Sequence, residues 1–310
     1  MNNTLLVLLG PTGVGKTDIS IELAKMTGAE IISADSRQFY REMRIGTAVP
    51  TEEQLRSAVH HFVQFLSIED YYSSSLFERD VMKRLPSLFE KNNLAIMTGG
   101  SGMYIDAVTE GIDDIPDVDP IIREKYNRMY EEGGIGSLRV ALRILDPDHY
   151  ARVDLRNHKR IIRALEICET AGRPYSSFLK KEKRSRDFRV VKLGLNRDRD
   201  ELFGRINLRV EQMMATGLEE EAMGLYPRRH LNALNTVGYR ELFEYFDGTV
   251  TREKAIELIK RNSRRYAKRQ LTWWARDNSI MWFHPDDKEK IYKAVTSAGS
   301  ATGSDAFEAH

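Results

Sequence analysis

Three observations predict an α/β fold, with a parallel sheet flanked by helices and an all-helical insertion. Short apolar runs alternate with amphipathic helical patterns, the first run empties into a glycine-rich loop, and the stretch from Pro120 to about residue 188 has no strand signal.

Leu5 to Leu9 read as a buried strand, because five consecutive apolar residues leave no face for solvent. Gly10-Pro11-Thr12-Gly13-Val14-Gly15-Lys16-Thr17 follows at once and matches the Gly-x-x-x-x-Gly-Lys-Thr phosphate-binding pattern. Its glycines let backbone N–H groups converge on phosphate oxygens, and a helix starting near Lys16 aims its positive end at the same charge. Lys16 is expected to neutralise the phosphates and Thr17 to hold Mg²⁺ through its hydroxyl. The sheet is therefore expected to be P-loop NTPase-like. A dinucleotide-binding fingerprint does not fit, because Asp18 stands where Gly-x-Gly-x-x-Gly requires its third glycine.

Further strands are expected at Glu30 to Ala34, Leu94 to Met97, Arg189 to Leu195 and Ile280 to Phe283. Prolines and acids from Gly111 to Pro120 break the pattern. Within the insertion, helices are expected at Pro120 to Glu132, stopped by Gly133-Gly134, at Ser137 to Leu145, stopped by Asp146-Pro147, and at Asn157 to Thr170, stopped by Gly172 and Pro174. After the returning strand come helices near Asp198 to Thr216, Val237 to Phe246 and Thr251 to Arg276. The expected divisions are a first core part over 1–111, the helical insertion over 112–188, a second core part over 189–285 and a flexible tail over 286–310, which is rich in Ser, Gly and Ala after Lys293.

The 310 residues, 41% hydrophobic and 30% charged, suffice for one sizeable core with a smaller attached domain, and a monomer is expected. No run of some 18 apolar residues suggests a membrane span, and the first apolar stretch ends in the phosphate loop instead of a cleavage site, so a cytoplasmic location is expected. The single cysteine, Cys168, excludes an internal disulfide and a cysteine-based zinc site, and the spacing Ile161, Leu165, Cys168 reads as a core face.

A net charge of +1 means that any nucleic-acid role must come from local clustering. Such clusters exist. Lys260, Arg264 and Lys268 recur every fourth residue, as do Arg261, Arg265 and Arg269, so six cations share one broad helix stripe. Residues 252–276 hold nine Lys or Arg against two Glu. Lys180 to Arg189 and the group Arg156, Lys159, Arg160 and Arg163 add to the footprint expected for a phosphate backbone.

Three more segments stand beside the loop: Ser33-Ala34-Asp35-Ser36-Arg37-Gln38-Phe39-Tyr40, Gly99-Gly100-Ser101-Gly102-Met103-Tyr104, and Ala267-Lys268-Arg269-Gln270-Leu271-Thr272-Trp273. In this order, and joined by Arg205 to Val210 and Val237 to Glu241, they resemble the bacterial tRNA dimethylallyltransferase family. Phe39 replaces a usual aliphatic residue, and Ser101 replaces a usual Thr while keeping its hydroxyl. The resemblance implies that Gly10 to Thr17 grip dimethylallyl diphosphate, which leaves as pyrophosphate when N6 of adenosine 37 in tRNA attacks its allylic carbon. It implies that Asp35 takes the N6 proton, that Ser36, Arg37 and Gln38 contact the acceptor nucleotide, and that Ser101 lies where the reactants meet. Arg209 and Arg205 add positive charge over the diphosphate. Arg123 meets the tRNA, and Asn157, Lys159, Arg160 and Arg163, with Ile161 and Ile162 among them, fall where the family's insertion grips the anticodon stem-loop. The stripe residues Arg264, Arg265 and Lys268 complete the expected tRNA contacts. Tyr40, Tyr104 and Phe39 are candidates for stacking on an extruded base.

The residues alone leave other readings open for Asp35, which suits a helix N-cap, and for the whole chain. An ATP-dependent kinase of a small molecule or nucleotide shares such a loop but needs no basic stripe. A nucleotide-switched RNA-binding protein needs an apolar strand ending in Asp, whereas Leu94-Ala95-Ile96-Met97 runs into Thr98-Gly99-Gly100. An enzyme that prenylates free AMP or ADP needs no long basic insertion.

Overall fold

A computed structural model describes residues 3–113, 115–116, 118–179 and 184–300, with side chains to residue 297. Its first elements are β1 (Thr4–Leu9), α1 (Lys16–Thr27), β2 (Ile31–Ser33), α2 (Glu52–Ser57), β3 (His60–His61), α3 (Ser74–Lys91), β4 (Leu94–Gly99) and α4 (Gly102–Glu110). Then come α5 (Pro120–Leu145), α6 (Pro147–Tyr150), α7 (His158–Ala171), β5 (Arg189–Leu195), α8 (Arg199–Ala215), α9 (Leu218–Leu225), α10 (Tyr239–Phe246), α11 (Arg252–Trp274), β6 (Met281–Phe283) and α12 (Lys288–Ser300). The chain divides into two compact units, Met1–Glu110 with Ser185–His310, and Gly111–Arg184.

The first unit is built on a six-stranded parallel sheet in the order β3-β2-β4-β1-β5-β6. Alternation along β1 explains the sandwich. Leu6 and Leu8 face a layer with Ile19 and Leu23 of α1, Leu202 and Ile206 of α8, and Ile291 and Val295 of α12. Leu5, Val7 and Leu9 face Phe77, Val81 and Leu85 of α3 and Ile105 and Val108 of α4. Both faces are covered, which is why β1 reads as an unbroken apolar run. Because Leu9 pairs with Gly99 on one side and Gly194 on the other, β1, β4 and β5 end at one level. Their following loops share one edge of the sheet, where ligands bind in open α/β folds.

The structure adds to or departs from the sequence reading at three points. The edge strand β3 has only two half-buried histidines, too short for any periodicity to show. The region from residue 286 does not behave as a flexible tail, since α12 packs Ile291 (0% exposed) and Val295 (1%) into the first core layer, and an i,i+4 apolar pair outweighs a Ser- and Ala-rich composition. Residues 301–310 lie outside those described. Asp35 caps no helix: the chain turns after it, with Gln38 N donating to Asp35 O at 3.0 Å, and the next helix begins at Glu52.

In the second unit α5 and α7 pack around Tyr126, Leu138, Leu142, Ile161, Ile162 and Leu165. The run of α5 breaks at Gly134, whose φ of 63° and ψ of −168° lie outside the helical region.

If α12 belongs to the core, Ile291→Ala should destabilise the protein by about 2–5 kcal/mol, the range for truncating a buried Ile. Denaturant unfolding measures it. A loss below about 0.5 kcal/mol, the scale of surface substitutions, would contradict the packing.

Candidate active site

The phosphate loop leaves β1 through Gly10, where a Cβ would lie 2.5 Å from Leu195 O, so only glycine fits against β5. It enters α1 through Gly15 at φ 111°, with no side chain capping the helix. The first amides of α1 are thereby left to an anion. Meanwhile cations engage the loop's carbonyls. Lys16 Nζ donates to Gly10 O (2.9 Å) and Pro11 O (3.0 Å), Arg205 Nε to Gly13 O (3.0 Å) and Arg197 Nε to Val14 O (3.0 Å). Arg209 Nη1 donates to Thr12 Oγ1 at 3.2 Å. The Val14 side chain is core, so that position serves the loop through its backbone alone.

Arg205 and Arg209 stand one turn apart on α8, and Ile206 between them closes on Gly13, where a Cβ would come within 2.9 Å. Arg197 is held in turn by Glu201 and by Asp286 at 3.1 Å. Sequence reading missed Arg197, whose role depends on acids that are remote or indistinct in sequence.

Asp35 leaves the end of β2 beside this loop. Its Oδ1 accepts a long 3.4 Å bond from Arg37 N, and its Oδ2 lies 3.6 Å from where a Cβ on Gly100 would stand. Burial pushes Lys16 down to about 8, opposed by the charge of Asp35 and assisted by that of Arg209. Burial also lowers Arg209, again against Asp35. One carboxylate therefore supports two desolvated cations.

Ser101 opens the turn after β4. Its N donates to Ala34 O at 3.2 Å, and its Oγ accepts from Ser36 N at 3.0 Å and donates to Ser36 Oγ at 3.1 Å. Tyr266 of α11 hydrogen-bonds to the same serine; burial and the charge of Asp35 push its phenol up to about 12, which keeps it neutral. Gln270, one turn further on α11, accepts from Thr12 N at 2.9 Å and donates through Nε2 to Gly100 O at 2.8 Å. Trp273 closes the same helix onto α4, its Nε1 donating to Asp106 Oδ2 at 3.0 Å against Gly102. The sequence singled out Ala267 to Trp273 but assigned no role to Gln270 within it or to Tyr266 just before it; the available signal for Gln270 was a polar residue on the apolar face with Ala267 and Trp274.

Several expected contacts already have internal partners. Arg37 Nη1 donates to Asn232 O and Ala233 O, and Gln38 Nε2 to Thr47 O and Ala48 O. Both shape the turn that carries Asp35. Phe39 and Tyr40 are buried, Phe39 among Phe65, Tyr72, Phe77 and Tyr104 with ring centroids 5.4–5.7 Å apart, so neither stacks on a base; Tyr104 is half-buried. Along α11, Lys260 pairs with Glu211 at 2.5 Å and Arg264 donates to Asn207 Oδ1 at 2.6 Å, while Arg261, Arg265, Lys268 and Arg269 are exposed. Of the group Lys180 to Arg189, Lys180, Lys181 and Lys183 lie outside the described residues, and Arg186 is half-buried and paired with Glu78 at 2.6 Å.

In the second unit Arg123 grips the buried Glu166 through two bonds of 2.8 and 3.2 Å, and Arg163 lies 3.6 Å from it. Asn157 caps α7, accepting from Arg160 N at 3.2 Å. Lys159 and Arg160 are exposed. Ile161 and Ile162 are not available to RNA: they are core residues, because the helix turns them under the exposed pair before them.

Fold and site define a P-loop-type α/β protein that sets the Gly10 to Thr17 loop beside a carboxylate and a set of hydroxyls. The family model for IPP transferase matches residues 38–277, and the chain belongs to that family. It is 55% identical over 296 residues to tRNA dimethylallyltransferase 1 of Porphyromonas gingivalis, spanning 95% of this chain and 99% of that protein. It is 52% identical over 297 residues to tRNA dimethylallyltransferase 1 of Phocaeicola vulgatus, spanning 96% and 99%. Among solved structures it is similar to the full-length tRNA isopentenylpyrophosphate transferase of Bacillus halodurans, with a TM-score of 0.69 at 36% identity over 96% of this chain and 97% of that one.

A buried Lys16 titrating near 8 has a signed consequence. An anion that contacts it raises its pKa, so binding at a pH above about 8 takes up protons, and affinity falls as pH rises from there. Calorimetry of an alkyl diphosphate at about pH 8.5, in buffers of different ionisation enthalpy, should show net proton uptake that Lys16→Met abolishes. Equal uptake by both proteins would contradict the assignment.

Proposed function

We infer that this protein is a tRNA prenyltransferase that moves a dimethylallyl group from dimethylallyl diphosphate to N6 of adenosine 37, releasing pyrophosphate. The observation that carries the reading is the convergence of the phosphate loop, Asp35 and Ser101 on one sheet edge in a chain of this family. The basic residues of α11 and the exposed Lys159 and Arg160 suit an RNA acceptor better than a free nucleotide.

In this mechanism the diphosphate lies along the loop amides and against Lys16, Arg209 and Thr12. Charge grows on its oxygens as the allylic C–O bond breaks, so cations and amides already fixed in place stabilise the transition state without reorganising. The N6 lone pair forms the new C–N bond; because that pair is delocalised into the ring, its proton must leave as the bond forms, and Asp35 accepts it. Ser36 and Ser101 orient the amine, supported by the neutral Tyr266 phenol. The target base is extruded from its loop to reach them, at a cost of about a few kcal/mol offset by backbone contacts.

Among the described residues no three His, Cys, Asp or Glu side chains form a metal cage. We assign Mg²⁺ to the phosphates of the substrate, where it commonly keeps several waters and few protein ligands, with the hydroxyl of Thr17 at the start of α1 as the group that would hold it. Bound there, the ion supplies neutralising charge to the leaving group.

We propose that the protein acts as a monomer. No helix among the described residues is long and apolar enough to cross a membrane. With tRNA as acceptor, we place the reaction in the cytoplasm.

Asp35→Asn retains a side-chain oxygen for Arg37 N but accepts no proton at neutral pH. It should leave thermal stability nearly unchanged and lower single-turnover prenyl transfer, with both substrates saturating, by about two to four orders of magnitude. Retention of most of the rate would remove Asp35 from the role of base.

A further inference from the structure

The loops that follow β1 and β4 hold the two substrates on the reading above, yet the ladder between those strands stops at Leu9 and Gly99. Beyond that point a side chain fixes their separation. Gln270 is 5% exposed, and burying a primary amide is costly unless both of its ends are bonded. Both are. Its Oε1 accepts from Thr12 N, in the loop assigned to the donor, and its Nε2 donates to Gly100 O, in the turn that carries Ser101. The fit is close on each side. A Cβ on Gly100 would lie 2.4 Å from Nε2, and the same point lies 3.6 Å from Asp35 Oδ2. On the donor side the bonded residue is Thr12, whose hydroxyl accepts from Arg209.

We propose that Gln270 is a positioning residue for prenyl transfer: its carboxamide, spanning Thr12 and Gly100, sets the distance between the diphosphate-bearing loop and the group formed by Asp35 and Ser101. The proposal rests on the prenyl-transfer reading and adds to it a residue that touches neither substrate. A span needs a defined length and two unlike ends. Methionine at this position fills the volume with neither a donor nor an acceptor of comparable strength. Asparagine keeps both ends but is one methylene too short to reach both loops at once. Since each substrate binds mainly to its own loop, loss of the span should affect alignment more than affinity, and misplacement on the order of 1 Å costs about 100-fold in rate.

The test measures three quantities for wild type, Gln270→Met and Gln270→Asn: dissociation constants for dimethylallyl diphosphate and for unmodified tRNA, single-turnover transfer at saturating levels of both, and the melting transition. Both variants should transfer about 10- to 100-fold more slowly. Their dissociation constants should stay within about threefold of wild type. Should Gln270→Met fail to melt cooperatively, Gln270→Asn, with its polar ends intact, decides the matter. A rate within threefold of wild type for Gln270→Asn would show that the span is not required. Donor affinity falling as far as the rate would show that Gln270 only supports the phosphate loop. A wild type that binds both substrates but transfers nothing would overturn the prenyl-transfer reading and this proposal together.

Discussion

The parallel pairing of β1 with β4 and β5 is the constraint on which the rest depends. Leu9, Gly99 and Gly194 stand side by side, so three chain segments leave the sheet at one level. Register is enforced from both faces. A slip of one residue would move Leu6 and Leu8 into the layer that Leu5 and Val7 occupy, and would shift the phosphate loop by about 3.3 Å along the strand. Glycine at positions 10 and 99 is the local expression of the same constraint, since a Cβ at either would meet a backbone carbonyl at 2.5 or 2.3 Å.

On that frame the site is an electrostatic device. Polyphosphate oxygens are repelled by carbonyl oxygens and attracted to amides, and Gly10, Pro11, Gly13 and Val14 all have their carbonyls engaged by Lys16, Arg205 or Arg197. On the proposed reading, the loop is set for an anion before one arrives. Such an arrangement concentrates positive charge in a partly buried place, and its cost is visible in the lowered pKa values of Lys16 and Arg209. Asp35 lessens that cost by its charge. In the proposed reaction the same carboxylate accepts a proton, so one residue would link the stability of the donor pocket to the activation of the acceptor.

The sheet was largely legible because buried parallel strands are short apolar runs, and β1 and β4 show this directly in Leu5 to Leu9 and Leu94 to Met97. The strand-loop-helix passage through Gly10 to Thr17 was legible because the motif fixes residue types at fixed spacing. What escaped depends on distant partners. Gln270 bonds to residues 258 and 170 positions away, and nothing local to α11 marks those bonds. The histidines of β3 owe their strand to their neighbour β2 instead of their own pattern. Ile161 and Ile162 sit beside exposed cations in sequence, yet a helix sends adjacent residues to different faces, and the apolar spacing through Leu165 was the better guide. Composition misled at α12, where the informative feature was the spacing of Ile291 and Val295.

The central claim is that this phosphate loop holds a leaving group and not a phosphoryl donor. Incubation with dimethylallyl diphosphate labelled in its prenyl chain and with unmodified tRNA, beside a parallel reaction containing labelled ATP, tests it directly. The account predicts label on tRNA at adenosine 37 with one pyrophosphate released per prenyl group, and no phosphate transferred from ATP to any acceptor. Transfer of the ATP γ-phosphate, with tRNA left unlabelled by the prenyl donor, would contradict it.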